Sequence, residues 1–132
     1  MQVSELEIKF NIARDKATSV EVTDTVIPLA NAFQGLRKYD AAVRSLNEAL
    51  AIVRESGDVD REAVILTALG AAFWEKAQLQ KALDHFSQAL DIFKVSSDRM
   101  GEKAILTMVG ITFWRKCEWQ RALAIFSDLW PE

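Results

Sequence analysis

The sequence predicts an all-α protein, a solenoid of helical hairpins with about seven helices. The first observation is internal repetition at 40 residues, with matched pairs that include Leu69 and Val109, Gly70 and Gly110, Phe73 and Phe113, and Ala82 and Ala122. The second is a spacing of three and four between apolar residues, in two runs of the middle unit: Leu66, Leu69, Gly70, Phe73 and Ala77, then Leu79, Ala82, Leu83, Phe86, Leu90 and Phe93. This spacing places each run on one helix face.

The N-terminal residues 1–18 are expected to form half a unit. Four apolar residues here stand 40 positions before residues of a later second-helix stripe: Val3, Leu6, Phe10 and Ile12 precede Val43, Leu46, Leu50 and Ile52. We predict an opening helix that takes the second-helix position and covers the first full unit. Without such a cover, a repeat unit exposes an apolar face.

The first long helix carries a proline. Thr18 followed by Glu21 fits a capping box, which predicts a helix start near Ser19. Pro28 then lies inside the helix and forces a kink, since proline lacks a backbone N–H. The alternative is an extended segment followed by a helix that starts near Asp24. We favour the kink, because the extended version requires a loop much longer than its equivalents.

The rest of the chain continues the same single domain, residues 1–132. After the opening half-unit, the expected units are 19–58, 59–98 and 99–132, with helices near 40–55, 60–76, 79–95, 99–116 and 119–130. Gly57-Asp58 and Ser97-Asp98 supply turns and helix N-caps. Gly70 recurs as Gly110, and we expect it, with Ala82 on the facing helix, to let two antiparallel backbones approach closely.

These residues resemble the tetratricopeptide repeat (TPR) signature of Leu-Gly, an aromatic residue, Ala, Phe or Leu, and Ala. The matching positions are Leu69, Gly70, Phe73, Ala82, Phe86 and Ala89, then Val109, Gly110, Phe113, Ala122 and Phe126. The family period is usually 34, and a period of 40 resembles the longer variant of kinesin light chains and Pins-type adaptors. HEAT and armadillo repeats have a suitable period but not this Gly and Ala placement. The resemblance covers about residues 19–130 and implies a right-handed superhelix.

Composition excludes several classes of function. The net charge is −3 and no Lys/Arg cluster stands out, which argues against nucleic acid as a partner. No apolar run approaches the roughly 18 residues that span a bilayer. The N-terminus lacks the features of a signal peptide, and Cys117 is the single cysteine, so we expect a cytoplasmic protein without an internal disulfide.

No catalytic, cofactor or metal site is predicted, and we expect the protein not to be an enzyme. His85 is the only histidine and has no recognisable nucleophile partner, so a partly exposed structural role is expected. Asp58, Asp60 and Glu62 are better explained as caps and a solvated helix start than as a cation site. Cys117 is interpreted as an ordinary thiol.

In the TPR family the first helix of each unit lines a concave groove. The candidate groove residues here are Ile27, Asn31, Gln34, Thr67, Ala71, Trp74, Thr107, Met108, Ile111, Trp114 and Arg115. Trp74 and Trp114 stand one unit apart and would form a continuous apolar strip, which predicts a scaffold that binds an apolar or amphipathic peptide. The alternative is that both tryptophans thicken the core. Only Asn31 matches the carboxylate-clamp subclass, so binding of acidic C-termini is not expected.

The last helix suggests a second function, self-assembly. Its candidate interface residues are Trp119, Leu123, Phe126 and Trp130. In a solenoid these positions are normally covered by another repeat. Either the chain is a fragment of a longer solenoid or the open face pairs with a second copy as a homodimer.

Overall fold

The computed structural model describes residues 2–130 and contains, over that range, seven α-helices and no strand. Their bounds are α1 Val3–Lys16, α2 Ser19–Gly35, α3 Tyr39–Ser56, α4 Val59–Glu75, α5 Leu79–Val95, α6 Arg99–Arg115 and α7 Trp119–Leu129. The predicted all-α architecture is confirmed. The helix pairs α2/α3, α4/α5 and α6/α7 are the full repeat units below, with α2, α4 and α6 as their first helices.

The helices pack in chain order, each against the next, and α2 also contacts α4. The apolar stripes face inward and form one continuous core. In the middle unit, Leu66 and Leu69 of α4 and Phe86 of α5 are almost completely buried. Because every unit contacts only its neighbours, this arrangement is a helical solenoid.

The opening helix α1 buries Leu6, Phe10 and Ala13 and packs on α2. Ile12, by contrast, is 54% exposed. The buried residues follow one another at spacings of four and three, which places them on one helix face. Ile12, two residues after Phe10, therefore points away from that face.

The side-chain caps at the helix starts agree with the sequence at two of three positions. Asp58 and Asp98 accept hydrogen bonds from the backbone N–H groups three residues later, at 3.2 and 2.9 Å, and so cap α4 and α6. Helix α2 begins at Ser19 and contains Pro28, which excludes the later start near Asp24.

The capping box predicted for α2 is wrong, because Thr18 makes no side-chain cap bond. The polar side chains at this helix start have other partners. Ser19 Oγ donates to Asp58 Oδ2 at 2.7 Å, and Glu21 lies 3.6 Å from the Lys16 ammonium. The first contact ties α2 to the start of α4, so one carboxylate serves two helices.

Gly70 faces an aromatic ring of the neighbouring helix, and this ring limits the size of the residue at that position. A Cβ at Gly70 would lie 2.5 Å from Cε1 of Phe86, whose side chain is fully buried. Gly110 has the same relation to Phe126, at 2.6 Å. In the first unit, Ala30 and Leu46 occupy the two equivalent positions. Where alanine replaces the glycine, the smaller leucine replaces the facing phenylalanine.

The turns use left-handed backbone at matching places in successive units. Positive φ values of 55 to 72° occur at two sets of residues: Ala17, Gly57 and Ser97 after α1, α3 and α5, and Arg37, Ala77 and Cys117 after the first helices. This conformation ends a helix and suits glycine best. Of the six positions, only position 57 carries the glycine that this conformation favours.

Polar contacts between neighbouring units also recur 40 residues apart. Arg14 bonds to Glu48 at 2.6 Å, and one unit later Arg54 bonds to Gln88 at 3.0 Å. Lys76 pairs with Asp40, and its equivalent Lys116 bonds to Gln80 at 3.1 Å. The Lys76 ammonium lowers the pKa of the Asp40 carboxyl by hydrogen bonding and by its charge. These contacts hold consecutive units in register.

Candidate protein-binding surface of the first helices

The candidate groove residues all lie on the first helices: Ile27, Asn31 and Gln34 on α2, Thr67, Ala71 and Trp74 on α4, and Thr107, Met108, Ile111, Trp114 and Arg115 on α6. Asn31, Ile111, Trp114 and Arg115 are exposed, and the others are half-buried. The Thr67 and Thr107 hydroxyls donate to carbonyl oxygens four residues earlier, both at 2.8 Å. Their hydrogen-bond donors are therefore used within the helix.

Trp74 is half-buried and packs against the core. The guanidinium carbon of Arg115 lies 4.3 Å from the centroid of its ring, and Arg115 Nη1 donates to the Trp74 carbonyl at 2.6 Å. This is a cation–π contact between neighbouring units. The strip expected from Trp74 to Trp114 is therefore not continuous, because a charged group covers one face of Trp74.

Trp114 has a different environment and is 50% exposed. Its ring meets the ring of Trp119 edge to face, with centroids 4.7 Å apart and planes at 68°. Trp119 is 45% exposed, and Ile111, one helical turn before Trp114, is 38% exposed. We call Ile111, Trp114 and Trp119 the aromatic patch. Trp119, a candidate for the oligomer surface, thereby extends the surface formed by α6.

The outer face of α7 carries the other candidate interface residues. Leu123 is 53% and Trp130 63% exposed, and the half-buried Phe126 ring lies 6.0 Å from that of Trp130. By contrast, Leu83, which is equivalent to Leu123 in the middle unit, is only 7% exposed. These α7 residues thus form an apolar face within the described residues.

A second concave feature lies between α2 and α4. This depression of about 570 Å³ is lined by Thr23, Asp24, Ile27, Pro28, Asp60, Arg61 and Val64. No residue of α3 or α5 lines it, so it opens on the side of the first helices away from the second helices. Sequence reasoning identified only Ile27 as a surface candidate here. The other residues become one site only when the two helices are placed side by side.

Two further candidate groups are His85 and Cys117. His85 is half-buried, its Nδ1 lies 2.8 Å from the Lys81 carbonyl, and its ring packs 5.0 Å from that of Phe73. Cys117 is an exposed free thiol in a turn.

Between residues 2 and 130, no group of His, Cys, Asp and Glu side chains is arranged to hold a metal ion. Over the same residues, no helix has the length and apolarity needed to cross a membrane.

The repeated helix pairs, the continuous core and the exposed surface of the first helices define a helical-repeat scaffold. A family model described as "Tetratricopeptide repeat" matches residues 23–94, which is more than half of the sequence. The chain belongs to the tetratricopeptide repeat family. A search of curated proteins finds no match.

Solved structures with the same fold include BtubC (BKLC) from P. vanneervenii, with a TM-score of 0.84 and 18% identity over 97% of this chain. The apo form of RapI has a TM-score of 0.77 and 22% identity over 93%. A putative kinesin light chain from Podosopora anserina with nearly identical TPR-like repeats has a TM-score of 0.79 and 19% identity over 96% of this chain. The present chain spans 54%, 33% and 63% of these three chains, respectively.

Proposed function

We propose that this protein is a non-catalytic interaction scaffold that binds an apolar or amphipathic peptide segment of a partner protein on the aromatic patch. The observation that supports this proposal is the pair of half-exposed rings of Trp114 and Trp119, in edge-to-face contact at 4.7 Å. Tryptophan is enriched among the residues that dominate binding energy at protein interfaces. Proteins of this fold typically act by binding other proteins.

The physical case for the patch is the apolar area that it leaves in water. A tryptophan side chain buries about 150–250 Å² when covered, so two half-exposed rings leave on the order of 200 Å² together. At about 25 cal/mol per Å², covering both contributes about 5 kcal/mol before the costs of association. The amphipathic helix is a suitable ligand, because its apolar face can contact Ile111 and both rings at once.

The adjacent polar groups restrict how the peptide lies. Arg115 follows Trp114 directly but is held on the Trp74 ring and carbonyl. The patch therefore has a polar border on the side of α4. A peptide that extends along the first helices would meet the apolar patch first and then this border.

Binding can be tested with a displayed library of helical peptides selected on the wild-type protein. The affinities of enriched peptides are then measured by fluorescence anisotropy. Trp114→Ala should weaken binding by about tenfold or more, which corresponds to about 1.4 kcal/mol. Trp130→Ala is the matched control, since it removes an exposed tryptophan outside the patch. Equal affinities of wild type and Trp114→Ala would refute the role of the patch.

Self-association through the outer face of α7 is a second candidate function. It is favoured by the exposure of Leu123 and Trp130, 53% and 63%, at positions where the middle unit is covered by α6. Packing two such faces about a two-fold axis would bury both. Light scattering coupled to size exclusion, at tens of micromolar, should give a dimer for wild type and a monomer for Trp130→Glu. A monomeric wild type would exclude this candidate.

We also propose that the protein is cytoplasmic. The exposed free thiol of Cys117 is compatible with a reducing compartment. The acidic net charge of −3 supports a protein partner over nucleic acid.

A further inference from the structure

We infer that the depression between α2 and α4 is a binding subsite for a basic side chain, lysine or arginine, of the partner peptide. The inference rests on the proposed role as a peptide-binding scaffold, but not on the aromatic patch. The inference specifies that the partner peptide carries a positive charge at this point.

The floor of the depression suits the aliphatic part of such a side chain. Ile27 and Pro28 of α2 and Val64 of α4 line it with apolar groups, and Val64 is 43% exposed. Lysine and arginine carry three or more methylene groups that pack on apolar surface while the charged end reaches polar groups. A volume of about 570 Å³ is large enough for one such side chain.

The rim of the depression carries unpaired negative charge. Asp24 and Asp60 are exposed, and across the part of the chain that the structure describes neither carboxylate has a hydrogen bond or an ion pair. Arg61, the one cation in the lining, donates to Asp58 at 3.1 Å and is neutralised there. The open groups at the rim are thus two carboxylates, which attract a cation.

Thr23 is a polar residue of the depression whose hydroxyl is unpaired. It is only 6% exposed, lines the depression, and its Oγ1 has no hydrogen-bond partner. The other threonines within helices donate to carbonyl oxygens four residues earlier: Thr25, Thr67, Thr107 and Thr112. A buried hydroxyl without a partner is unfavourable, so Thr23 adds an uncompensated polar group at the depression.

The backbone of α2 adds another acceptor. Pro28 has no N–H, so the carbonyl of Asp24, four residues earlier, loses its helical donor. The residues that line the depression thus carry two carboxylates and a hydroxyl, all of which accept hydrogen bonds, and the Asp24 carbonyl lacks its helical donor. Ammonium and guanidinium groups offer several donors and no acceptor, and so complement this set.

The next pair of first helices does not repeat the site. The residues of α6 equivalent to Asp60 and Val64 are Met100 and Ala104, and Val64 itself replaces Asp24 on α4. The acidic rim and the proline are thus specific to α2 and α4. The repeat pattern itself requires neither of them.

The test uses labelled amphipathic helical peptides of leucine and lysine, with matched peptides in which every lysine is glutamine. Affinities are measured by anisotropy for wild type and for Asp24→Asn/Asp60→Asn. We expect the affinity of the double variant for the lysine peptide to fall about tenfold and its affinity for the glutamine peptide to stay unchanged. The loss should shrink as salt rises from about 50 to about 300 mM, because exposed charges are screened.

The matched control is Glu55→Gln/Asp91→Asn, which removes two exposed charges from the second helices. An equal loss of affinity in this control would show non-specific attraction and would overturn the subsite. The subsite would also be overturned if Asp24→Asn/Asp60→Asn bound the lysine peptide with the same affinity as wild type. Trp114→Ala reports on the aromatic patch separately. If Trp114→Ala binds both peptides normally while the aspartate variant loses the lysine peptide, the patch fails and the subsite stands.

Discussion

The helix pairs α4/α5 and α6/α7 carry closely matching residues, yet their equivalent side chains differ in burial. Leu83 is 7% exposed and Leu123 is 53% exposed, and Phe86 is fully buried whereas Phe126 is half-buried. The first pair packs between α3 and α6, whereas the second packs mainly on α5, with a further contact from Arg115 to Trp74 of α4. A unit's own sequence thus determines which face is apolar, while its neighbours determine how much of that face leaves water.

The largest expected difference comes from removing the two equivalent rings. Phe86→Ala should destabilise the protein by about 3–5 kcal/mol, the usual cost of a cavity in a packed core. Phe126→Ala should cost only about 1–2 kcal/mol, because part of its ring is already in water. Urea unfolding followed by circular dichroism measures both. Ile8→Ala, at a 60% exposed position of α1, is the control and should change stability by less than about 0.5 kcal/mol.

Similar losses for Phe86→Ala and Phe126→Ala would mean that burial at α7 is greater in solution than in this structure. Self-association that covers α7 would have this effect. The comparison should therefore be made at two protein concentrations, since stability of a self-associating protein depends on concentration.

The two glycines that face these rings give the next largest effect. Gly70→Ala places a Cβ 2.5 Å from a fully buried ring, and overpacking of this kind costs about 1–3 kcal/mol. At Gly110 the facing Phe126 ring is half-buried and can move aside, while alanine gains up to about 1 kcal/mol of helix propensity. Gly110→Ala should therefore be close to neutral in chemical denaturation.

A double variant tests the reason for the first effect. Gly70→Ala/Phe86→Leu recreates the Ala30 and Leu46 pair of the first unit. Its stability should exceed the sum of the two single changes by about 1 kcal/mol or more. Strict additivity would show that the glycine and the ring are not coupled.

The sequence predicted well what depends on one helix at a time. The stripe through Leu66, Leu69 and Phe86 and the caps at Asp58 and Asp98 follow from local spacing and local chemistry, and the structure confirms them. No side-chain cap forms at Thr18, and the neighbouring Ser19 bonds to Asp58, a contact between two helix starts that local sequence does not reveal.

The site depends on pairs of helices, which a single-helix pattern does not contain. Whether Arg115 covers Trp74 is decided by the rotation of α6 relative to α4. The depression likewise combines residues 23–28 with residues 60–64. Pro28 was visible in the sequence as a backbone break, but its effect on acceptors near α4 required the positions of both helices.

The turns should show a smaller contrast. Gly57 has φ +72°, and Gly57→Ala should cost about 1 kcal/mol, since an L side chain is strained there. Ala77 has φ +63° after α4, so Ala77→Gly should stabilise by about 0.5 kcal/mol. Thermal unfolding of both variants and of wild type shows whether each substitution raises or lowers the stability. A stabilised Gly57→Ala would contradict the turn geometry.

The smallest expected effect depends on pH and concerns the contact between α2 and α4. The hydrogen bond from Ser19 lowers the pKa of the Asp58 carboxyl, as do the bonds from Arg61. A lowered folded pKa contributes stability above the unfolded value of about 3.9, which is lost as pH falls through the folded pKa. The change should be less than about 1 kcal/mol.

Asp58→Asn keeps a good N-cap but removes the charge, so it should be less stable than wild type at neutral pH and equal to it near pH 2. Ser19→Ala should reduce the same pH dependence, because it removes the largest cause of the shift. Denaturant midpoints between about pH 2 and pH 7 give the comparison. If the denaturant midpoints of wild type and Asp58→Asn differed by the same amount at every pH, the lowered pKa of Asp58 would be contradicted.

The unequal placement of tryptophan has a spectroscopic consequence. Trp114, Trp119 and Trp130 are 50, 45 and 63% exposed and belong to the last helix pair or its end, while Trp74 alone marks the middle unit. Iodide should therefore quench most of the intrinsic emission, and that emission should report mainly on α6 and α7. Melting curves from fluorescence and from ellipticity at 222 nm coincide only if the whole array unfolds in one step. An earlier fluorescence transition would measure directly how loosely the last pair is coupled to the others.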